Sequence, residues 1–270
     1  MKELSLQEHK EVGLKVLLAI DKICRENDIV YSLSYGTLLG AVRHGGFIPW
    51  DDDLDIMMPR ADFLKFIEYC KSNETPFSLA SFGTDDKFGY MFAKACDKGT
   101  TLVSDNMKWS KDGVQVDIFP IENLGDDKET AIKRFNKKRF ARELLVAWNW
   151  KHYEKNPNKS LTYNVARLIF YIMSRFVSNK RLLKSINKYY NKFIGETPKF
   201  AGIVSGAYRS REIMESSIYA EYTDIVFEGE KFRTISKYHE YLTVVYGDYM
   251  QLPPEDKRVA PHDFKVYTND

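Results

Sequence analysis

The segment DDDLDIMMP (51–59) sets four aspartates within five residues immediately before an apolar run. The run and its closing proline predict a β-strand over residues 53–58. Side chains alternate across a strand, so Asp53 and Asp55 share one face while Leu54 and Ile56 share the other. Carboxylates held this close repel one another. The chain must therefore fold so that something positive lies beside this strand.

Paired carboxylates on a strand suit a hard divalent cation such as Mg²⁺, which takes few protein oxygens, keeps water and accepts phosphate oxygens from a substrate. Asp117 is the third candidate ligand, because an isolated ionised carboxylate would be costly in the apolar strand VQVDIFP (114–120). A surface turn of solvated aspartates is one alternative. A calcium-binding loop is another, but Ile56 stands where such a loop needs glycine. We expect Asp53, Asp55 and Asp117 to hold Mg²⁺ or Mn²⁺.

The dipeptide Gly36-Thr37 lies between a predicted strand, IVYSLS (29–34), and a short predicted helix. A glycine there lets a phosphate approach the backbone, and the start of the helix offers free N–H groups and a hydroxyl. Its meaning comes from its position. The order of elements is typical of nucleotidyltransferases, in which metals drive attack on phosphorus. It consists of a strand, Gly-Thr, a short helix, an Asp-x-Asp strand and then a strand with a lone aspartate.

The remaining pattern predicts an α+β fold. Residues 1–125 should form a nucleotidyltransferase-like mixed-sheet core, which opens with a helix capped by Ser5 and Glu8. Residues 126–270 should form a second, basic region that is helical for about 90 residues. It then returns with a β-hairpin around 224–235 and a C-terminal helix that ends at Gly247.

Composition excludes several classes of protein. A chain of 270 residues with 44% hydrophobic and 14% aromatic residues is not disordered. Its three cysteines, Cys24, Cys70 and Cys96, form neither a zinc pattern nor a disulfide framework, which favours reduced thiols in the cytoplasm. The charged N-terminus is no signal peptide, and no run of 18 uncharged apolar residues is present. We expect a cytoplasmic protein with no nucleic-acid partner.

Charge is distributed unevenly along the chain. Residues 133–199 contain 17 lysines and arginines against three acids, a formal charge of +14, whereas the whole chain carries +2. An anionic partner and a solvated helical face both fit this block. Inside it, residues 161–177 predict a helix with Arg167 and Arg175 off an apolar stripe. The stripe fits either core packing or a peripheral contact with the inner membrane leaflet. Its members are Leu161, Val165, Leu168, Ile169, Ile172, Met173 and Phe176.

Several motifs together resemble the LicD (fukutin-related) family. YGTLLGAVRHGGFIPWDDDLDIMMP (35–59) resembles the signature of that family, and YHEYLTVVYGDYMQLPPEDKR (238–258) resembles its C-terminal pattern. KACDKGTTL (94–102) and VDIFPIE (116–122) also fit. The resemblance spans most of residues 10–262 and is weakest in the basic middle.

The resemblance implies a nucleotidyltransferase-like fold and a transfer reaction. The group moved would be phosphocholine, or a related phospho-substituent, from CDP-choline or a similar CDP-linked donor. The acceptor would be a cell-surface glycan such as teichoic acid or lipopolysaccharide, which we expect to be lipid-linked. By position, Asp53 and Asp55 match the metal carboxylates of the family, Asp117 matches its third acid, and Gly36 and Thr37 match its phosphate-side turn.

Four further residues are candidate substrate-binding groups. Arg43 and His44 flank a Gly-Gly loop, and phosphate binding and structural support both fit them. Trp50 fits stacking on a base, covering a cationic choline head or anchoring the loop. Lys94 fits neutralising the donor phosphate or an ordinary surface position.

Two other functions stay open alongside the transferase. One is an antibiotic-modifying nucleotidyltransferase, and the other is a non-catalytic nucleotide-binding module. A glycosyltransferase also uses Asp-x-Asp, but it generally builds a βαβ region first, and only 52 residues precede Asp53. No Ser-His-Asp or Cys-His arrangement stands out, so we expect direct attack on phosphorus rather than a covalent intermediate.

Overall fold

Helices and strands are mixed throughout the chain, which confirms the α+β class predicted from the sequence. The computed structural model describes residues 1–85, 87–108, 113–259 and 264–269. The helices are α1 (Leu6–Glu26), α2 (Tyr35–His44), α3 (Arg60–Ser72), α4 (Lys128–Asn136), α5 (Arg139–Trp148), α6 (Leu161–Ser174), α7 (Asn179–Tyr190) and α8 (Tyr238–Tyr246). The strands are β1 (Ser32–Leu33), β2 (Leu54–Pro59), β3 (Phe77–Ala80), β4 (Ala93–Asp97), β5 (Thr100–Ser104), β6 (Gln115–Gly125), β7 (Phe200–Gly202), β8 (Met214–Glu215), β9 (Tyr222–Phe227), β10 (Glu230–Ile235) and β11 (Phe264–Thr268).

The main sheet has the order β1-β2-β6-β4-β3, with β7 joined to the end of β6 and β8 joined to β7. Strands β2 and β6 run parallel, and the other neighbours in that order run antiparallel. The parallel pair sets Asp55 directly opposite Asp117, and β4 sets Lys94 opposite Asp117 on its other side. Sheet pairing therefore brings three residues that are far apart in sequence into one row.

Elements with strong local signals form where the sequence predicts them. Helix α1 begins with the complete capping box, in which the Ser5 side chain accepts from the Glu8 N–H and the Glu8 carboxylate accepts from the Ser5 N–H. The predicted hairpin is β9–β10, and its turn residues Glu228 and Gly229 have φ values of +52° and +80°. Two consecutive positive φ values match the right-handed twist of a tight hairpin.

The predicted strand over 29–34 is wrong for its first half, because only Ser32–Leu33 forms β1. The backbone N–H groups before it bond elsewhere. Ile29 donates to the Cys24 carbonyl at the end of α1, and Val30 donates to the Asp62 carboxylate at 2.9 Å. These bonds replace the ladder that an extended segment would need.

The helical stretch expected beyond residue 125 is also shorter than predicted. The last of its α-helices, α7, ends at Tyr190, and β7 and β8 follow among irregular segments. Gly195, with φ of +87°, and Pro198 break the helical pattern. Strand β11 was not predicted, and it pairs with β5, which lies in the first half of the chain.

The hydrophobic core joins the two ends of the chain. Its largest cluster draws on residues 16–121 and again on 201–249. From the hairpin, Phe227 and Phe232 are fully buried in this cluster, and Tyr241 and Leu242 of α8 join them. The C-terminal segments therefore pack onto the sheet that carries the aspartates.

Helix α6 turns its apolar stripe outward, so the core-packing interpretation of this stripe is wrong. The seven stripe residues, which we call the outer face of α6, are between 38% and 85% exposed. Six of them lie on the helix, and Phe176 follows its last residue, Ser174, so the helix is shorter than the predicted 161–177. The fully buried positions of the helix are polar, Asn164 and Ser174. Within the described residues, no helix is both long enough and apolar enough to cross a bilayer.

The opposite side of α6 is anchored by its arginines. Arg175 donates to the carbonyls of Ala147 at 2.7 Å and Trp150 at 3.1 Å, where α5 ends. The guanidinium of Arg167 lies 4.4 Å from the centre of the Trp150 ring. Cations are favourable at the C-terminal end of a helix, where carbonyls lack partners. Packing of these two half-buried arginines against the end of α5 and against Trp150 therefore leaves the apolar side chains facing out.

A buried ion pair ties α3 to the sheet. The Arg60 guanidinium donates to the Glu122 carboxylate of β6 at 3.1 Å and to the Asn191 side chain after α7, and both charged side chains are almost fully buried. Burial raises the pKa of Glu122 to about 7, and the charge of Arg60 opposes that rise. Removing one partner of such a pair leaves the other charge buried and unpaired.

We expect Arg60→Met to lower the free energy of unfolding by about 3–5 kcal/mol, because the Glu122 carboxylate would lose its buried cation. Arg25→Met is the control, since Arg25 pairs with Asp21 and Asp224 at the surface, where its own side chain is 35% exposed. It should lower stability by less than about 1 kcal/mol. Urea unfolding followed by circular dichroism measures both. Equal losses would mean that Arg60 contributes no more than a surface arginine.

Candidate active site

The row of Asp55, Asp117 and Lys94 lies across three adjacent strands, β2, β6 and β4. The Lys94 ammonium donates to Asp117 Oδ1 at 2.6 Å, and the rings of Tyr90 and Phe92 each lie 5.1 Å from the ammonium. Lys94 is only 3% exposed, so the alternative of an ordinary surface lysine is wrong. A lysine built into the sheet therefore compensates one of the acids.

The other aspartates meet at the start of β2. Asp51, Asp52 and Asp53 each offer a carboxylate oxygen, and these atoms lie within 4.8 Å of one another. Burial, followed by the charges of Asp53 and Asp52, raises the pKa of Asp51 to about 7. Burial also holds the pKa of Asp55 well above its usual range, and Asp53, Asp117 and Asp51 add to this effect. All five carboxylates thus share one electrostatic site, and the sequence assignment had left out Asp51 and Asp52.

The predicted phosphate-side turn packs directly against these acids. A Cβ atom on Gly36 would lie 2.5 Å from Asp51 Oδ2, so only glycine fits at the start of α2. The Thr37 hydroxyl accepts a hydrogen bond of 2.8 Å from the Asp55 N–H and so fixes the start of β2. The structure brings Gly36 and Thr37 together with the aspartates, and their contact with phosphate stays a prediction.

Lys10 of α1 supports the loop that leads into the aspartates. Its ammonium donates to the carbonyls of Ile48 at 3.0 Å and Pro49 at 2.9 Å. Burial lowers the pKa of Lys10, while the charges of Asp51 and Asp52 oppose this shift. Sequence reasoning missed this residue. The available signal was a lysine at a helical position in line with the buried stripe of α1.

The tip of the β9–β10 hairpin closes the Gly-Gly loop. The Glu228 N–H donates to the Gly45 carbonyl at 3.0 Å, and its carboxylate accepts from the Phe47 N–H at 2.9 Å. Gly45 has a φ of +72°, and a side chain on Gly46 would collide with Glu228. The two glycines are thus required by backbone conformation and by close approach.

Arg43, His44 and Trp50 form contacts between this loop and the C-terminal segment. Arg43 donates to the Tyr249 carbonyl at 2.8 Å. The rings of His44 and Trp50 meet edge to face at 6.3 Å, and the Arg258 guanidinium lies 5.7 Å from the Trp50 ring. These contacts fit the structural alternative that the sequence left open, and the substrate contacts of the three residues stay predictions.

A cluster of tyrosines around Glu212 lies beside the acids. The Tyr35 hydroxyl and the Tyr208 N–H both donate to the Glu212 carboxylate. The rings of Tyr35 and Tyr208 stack at 5.9 Å, and Tyr246 meets Tyr208 edge to face at 5.3 Å. Burial is the largest cause of the raised pKa of each of these tyrosines, and the negative charge of Asp55 is a smaller one. Sequence reasoning missed Glu212, because it lies in an irregular segment with no periodic signal.

Glu212 gives the fold a defined pH dependence. It is 1% exposed, and burial raises the pKa of its carboxyl from the usual 4.5 to about 7. The folded protein therefore binds this proton more tightly than the unfolded chain does. The resulting stabilisation is fully present below pH 4.5 and is lost as the pH rises through 7.

We expect Glu212→Gln to remove this part of the pH dependence. Between about pH 5 and about pH 8.5, the free energy of unfolding of the unchanged protein should fall by up to about 3 kcal/mol more than that of the variant. Urea unfolding at the two pH values measures the difference. Identical pH slopes would contradict the assignment.

Comparisons with known proteins identify one matching family and several similar sequences. Residues 28–160 match the family described as LicD/FKTN/FKRP, nucleotidyltransferase domain. The chain is 29% identical over 276 residues to the lipopolysaccharide cholinephosphotransferase LicD of Haemophilus influenzae, and the alignment covers 99% of each chain. It is also 42% identical over 67 residues to an uncharacterised protein of Rickettsia typhi, covering 24% of this chain and 22% of the other.

An uncharacterised protein of Rickettsia prowazekii is 54% identical over 41 residues, which is 15% of each chain. The domain match contains the whole row of Asp55, Asp117 and Lys94. The match to the Haemophilus protein extends over the basic region and the C-terminal segments as well. The domain match therefore identifies residues 28–160 as a LicD-family nucleotidyltransferase domain, and the similarity to the Haemophilus protein extends along the whole chain.

Proposed function

We propose that this chain is a phosphotransferase that moves phosphocholine from CDP-choline to a cell-surface glycan. The single observation that carries the proposal is the row of Asp55, Asp117 and Lys94 beside three further aspartates, within a LicD-family nucleotidyltransferase domain. The catalytic core would lie in residues 1–125, and residues 126–270 would face the acceptor. Lipopolysaccharide, named for the Haemophilus relative, and teichoic acid are the acceptors to test.

The carboxylates fit a hard divalent cation. Three of them offer oxygens within 4.8 Å of one another. Burial, and then repulsion from Asp53 and Asp52, raise the pKa of Asp51, and a cation would offset both effects. We propose that Asp53, Asp55 and Asp117 hold Mg²⁺ or Mn²⁺, with Asp51 and Asp52 as further candidate ligands. Bound there, the ion would stabilise negative charge on the transferred phosphate.

Asp117 and Lys94 would contribute directly to the transfer reaction. The acceptor hydroxyl oxygen would attack the phosphorus of the phosphocholine group, the bond to the bridging oxygen would break, and cytidine monophosphate would leave. Asp117 would take the hydroxyl proton, which requires its carboxylate to lie within about 3 Å of that hydroxyl. Lys94 would hold Asp117 in place through the hydrogen bond of 2.6 Å.

The tyrosine cluster supports choline as the group that is moved. Tyr208 and Tyr246 are half-buried rings next to the acidic site, and Asp55 adds negative charge beside them. A quaternary ammonium is attracted to aromatic faces and to nearby carboxylates. These rings would hold the choline head of the donor, while the acids and Lys94 lie toward the diphosphate.

We expect Asp55→Asn to reduce release of cytidine monophosphate from CDP-choline by at least about 100-fold, because it removes a charge from the site without removing volume. Asp53→Asn should behave in the same way. Asp256→Asn, at an exposed aspartate outside the site, is the control and should keep full activity. All three should unfold cooperatively.

The same assay separates the alternatives. An antibiotic-modifying nucleotidyltransferase would release pyrophosphate from a nucleoside triphosphate, and a binding module would bind the nucleotide without turnover. CDP-ribitol and CDP-glycerol serve as competing donors. Full activity after treatment with a chelator would contradict the metal, and equal or better turnover of a polyol donor would contradict choline.

We also propose that the outer face of α6 lies on the inner leaflet of a membrane. Its seven apolar residues are exposed, and residues 133–199 around it carry a formal charge of +14. An anionic lipid surface satisfies both features, because it buries apolar side chains and attracts lysines at up to about 1 kcal/mol each. A lipid-linked acceptor would be presented at the same surface.

We expect the protein to sediment with vesicles of anionic phospholipid at low salt and to be partly released at high salt. Ile169→Gln combined with Ile172→Gln should weaken binding to the vesicles at least about tenfold, because two apolar side chains would no longer be available for burial in the lipid. Val226→Gln, at an exposed valine on β9, is the matched control. Absence of binding at low salt by the unchanged protein would contradict the membrane contact.

A further inference from the structure

A large groove lies on the side of α6 opposite its outer face. Helices α5 and α6, the segment 89–92 before β4 and the segment 204–209 enclose a volume of about 1180 Å³, which we call the α5–α6 groove. Pockets for single small ligands generally measure about 300–1,000 Å³. The groove is therefore large enough for a ligand made of several units.

One end of the groove reaches the candidate active site. Gly206 lines it, and a side chain at this position would collide with the Tyr35 hydroxyl and the Glu212 carboxylate. Tyr90 and Phe92 line it as well, and both rings lie 5.1 Å from the ammonium of Lys94. A ligand lying in the groove would thus extend to the row of Asp55, Asp117 and Lys94.

The groove is strongly basic. Among its described lining residues, five side chains are cationic and one, Glu143, is acidic. Burial lowers the pKa of Arg142, and the nearby charges of Arg139 and Arg209 contribute to this shift. The guanidiniums of Arg139, Arg142 and Arg209 belong to residues that line the same groove, and an anion bound there would offset their like charge.

Three residues of the lining also carry polar atoms that are buried without partners. Asn149 is 6% exposed, and its side-chain amide oxygen, Oδ1, has no hydrogen-bond partner in the described part of the chain. The Arg167 Nε and the Ser205 hydroxyl are also buried without a hydrogen-bond partner among the described residues. Buried polar atoms without partners cost free energy. The residues that carry these atoms line the groove, so its wall is polar as well as aromatic.

Flat aromatic side chains complete the lining. Trp150, Phe140, Phe170 and Tyr163 all face the groove, and the rings of Phe140 and Phe170 meet at 5.5 Å. The C–H faces of sugar rings pack on such surfaces while their hydroxyl groups bond to polar neighbours. Guanidiniums, hydroxyl partners and aromatic faces together match an oligosaccharide that carries phosphate or carboxylate groups.

We propose that the α5–α6 groove binds an anionic segment of the acceptor glycan and leads its hydroxyl to the row of Asp55, Asp117 and Lys94. The inference rests on the proposed function only in taking a glycan as the acceptor. Arg139 and Arg209 hold the anionic group, and the aromatic side chains hold the sugar rings. Binding in the groove requires neither the donor nor the metal.

Calorimetric titration of the full chain with a defined probe tests this inference. The probe is the lipid-free oligosaccharide of lipopolysaccharide with its core phosphates intact, compared with the same oligosaccharide after phosphatase treatment. Arg139→Gln combined with Arg209→Gln should weaken binding of the phosphorylated probe at least about tenfold, since each charge-assisted pair is among the stronger hydrogen bonds. Binding of the dephosphorylated probe should be weaker than that of the phosphorylated one and should change little in the variant.

Lys15→Gln combined with Lys128→Gln removes the same charge at exposed positions outside the groove and should bind as the unchanged protein does. The inference is overturned if the unchanged protein binds neither probe, or if the groove variant binds both as the unchanged protein does. The inference is also overturned if the groove variant loses binding to anionic vesicles but still binds the oligosaccharide probe. That result would mean that the groove binds lipid headgroups.

Kinetics separate this inference from the proposed function. In the transfer assay, the groove variant should raise the KM for the phosphorylated oligosaccharide at least about tenfold and leave the KM for CDP-choline unchanged. Probe binding that depends on Arg139 and Arg209, without any transfer of phosphocholine, would leave the groove as a glycan site and refute the proposed reaction. Transfer with an unchanged KM in the variant would refute the groove and keep the reaction.

Discussion

Repulsion among five carboxylates is the constraint on which the rest of this structure depends. Asp51, Asp52, Asp53, Asp55 and Asp117 meet at one edge of β2 and β6, where burial makes their mutual charge costly. The fold supplies fixed positive groups around them, namely Lys94 from β4, Lys10 from α1 and the N-terminal end of α2. Each of these groups reaches the site only because the sheet and α1 are already in place.

This constraint also explains why the surrounding loops are built so tightly. The glycine at the start of α2 lets the backbone approach Asp51, and the Gly-Gly loop accommodates the carboxylate of Glu228. The hairpin and α8 pack into the same core as the sheet and bring Tyr246 beside Asp55. A site whose acids must stay close together therefore depends on the C-terminal half of the chain as well as on the signature segment.

The parts of the fold that the sequence predicts are those with complete local signals. The capping box of α1, the strand after the aspartates and the turn at Glu228 each contain their determinants within a few residues. Lys10, Glu212 and β11 were missed because their partners lie far along the chain. The apolar stripe of α6 shows the same limit. Periodicity identified the helix, but contacts of Arg167 and Arg175 with α5 decide which face is buried.

The inverted orientation of α6 links the two proposed surfaces. A helix with its side chains is about 10–12 Å across, so the α5–α6 groove lies about one helix diameter from the outer face. On a membrane, a glycan that leaves its lipid anchor would therefore meet the groove within its first sugars, and the groove leads on to Lys94 and Asp117. Anchoring α6 through Arg167 and Arg175 keeps the apolar side chains available to lipid and places Arg167 in the lining of the groove. The excess of basic residues in 133–199 then serves both surfaces, since the lipid and the glycan carry charge of the same sign.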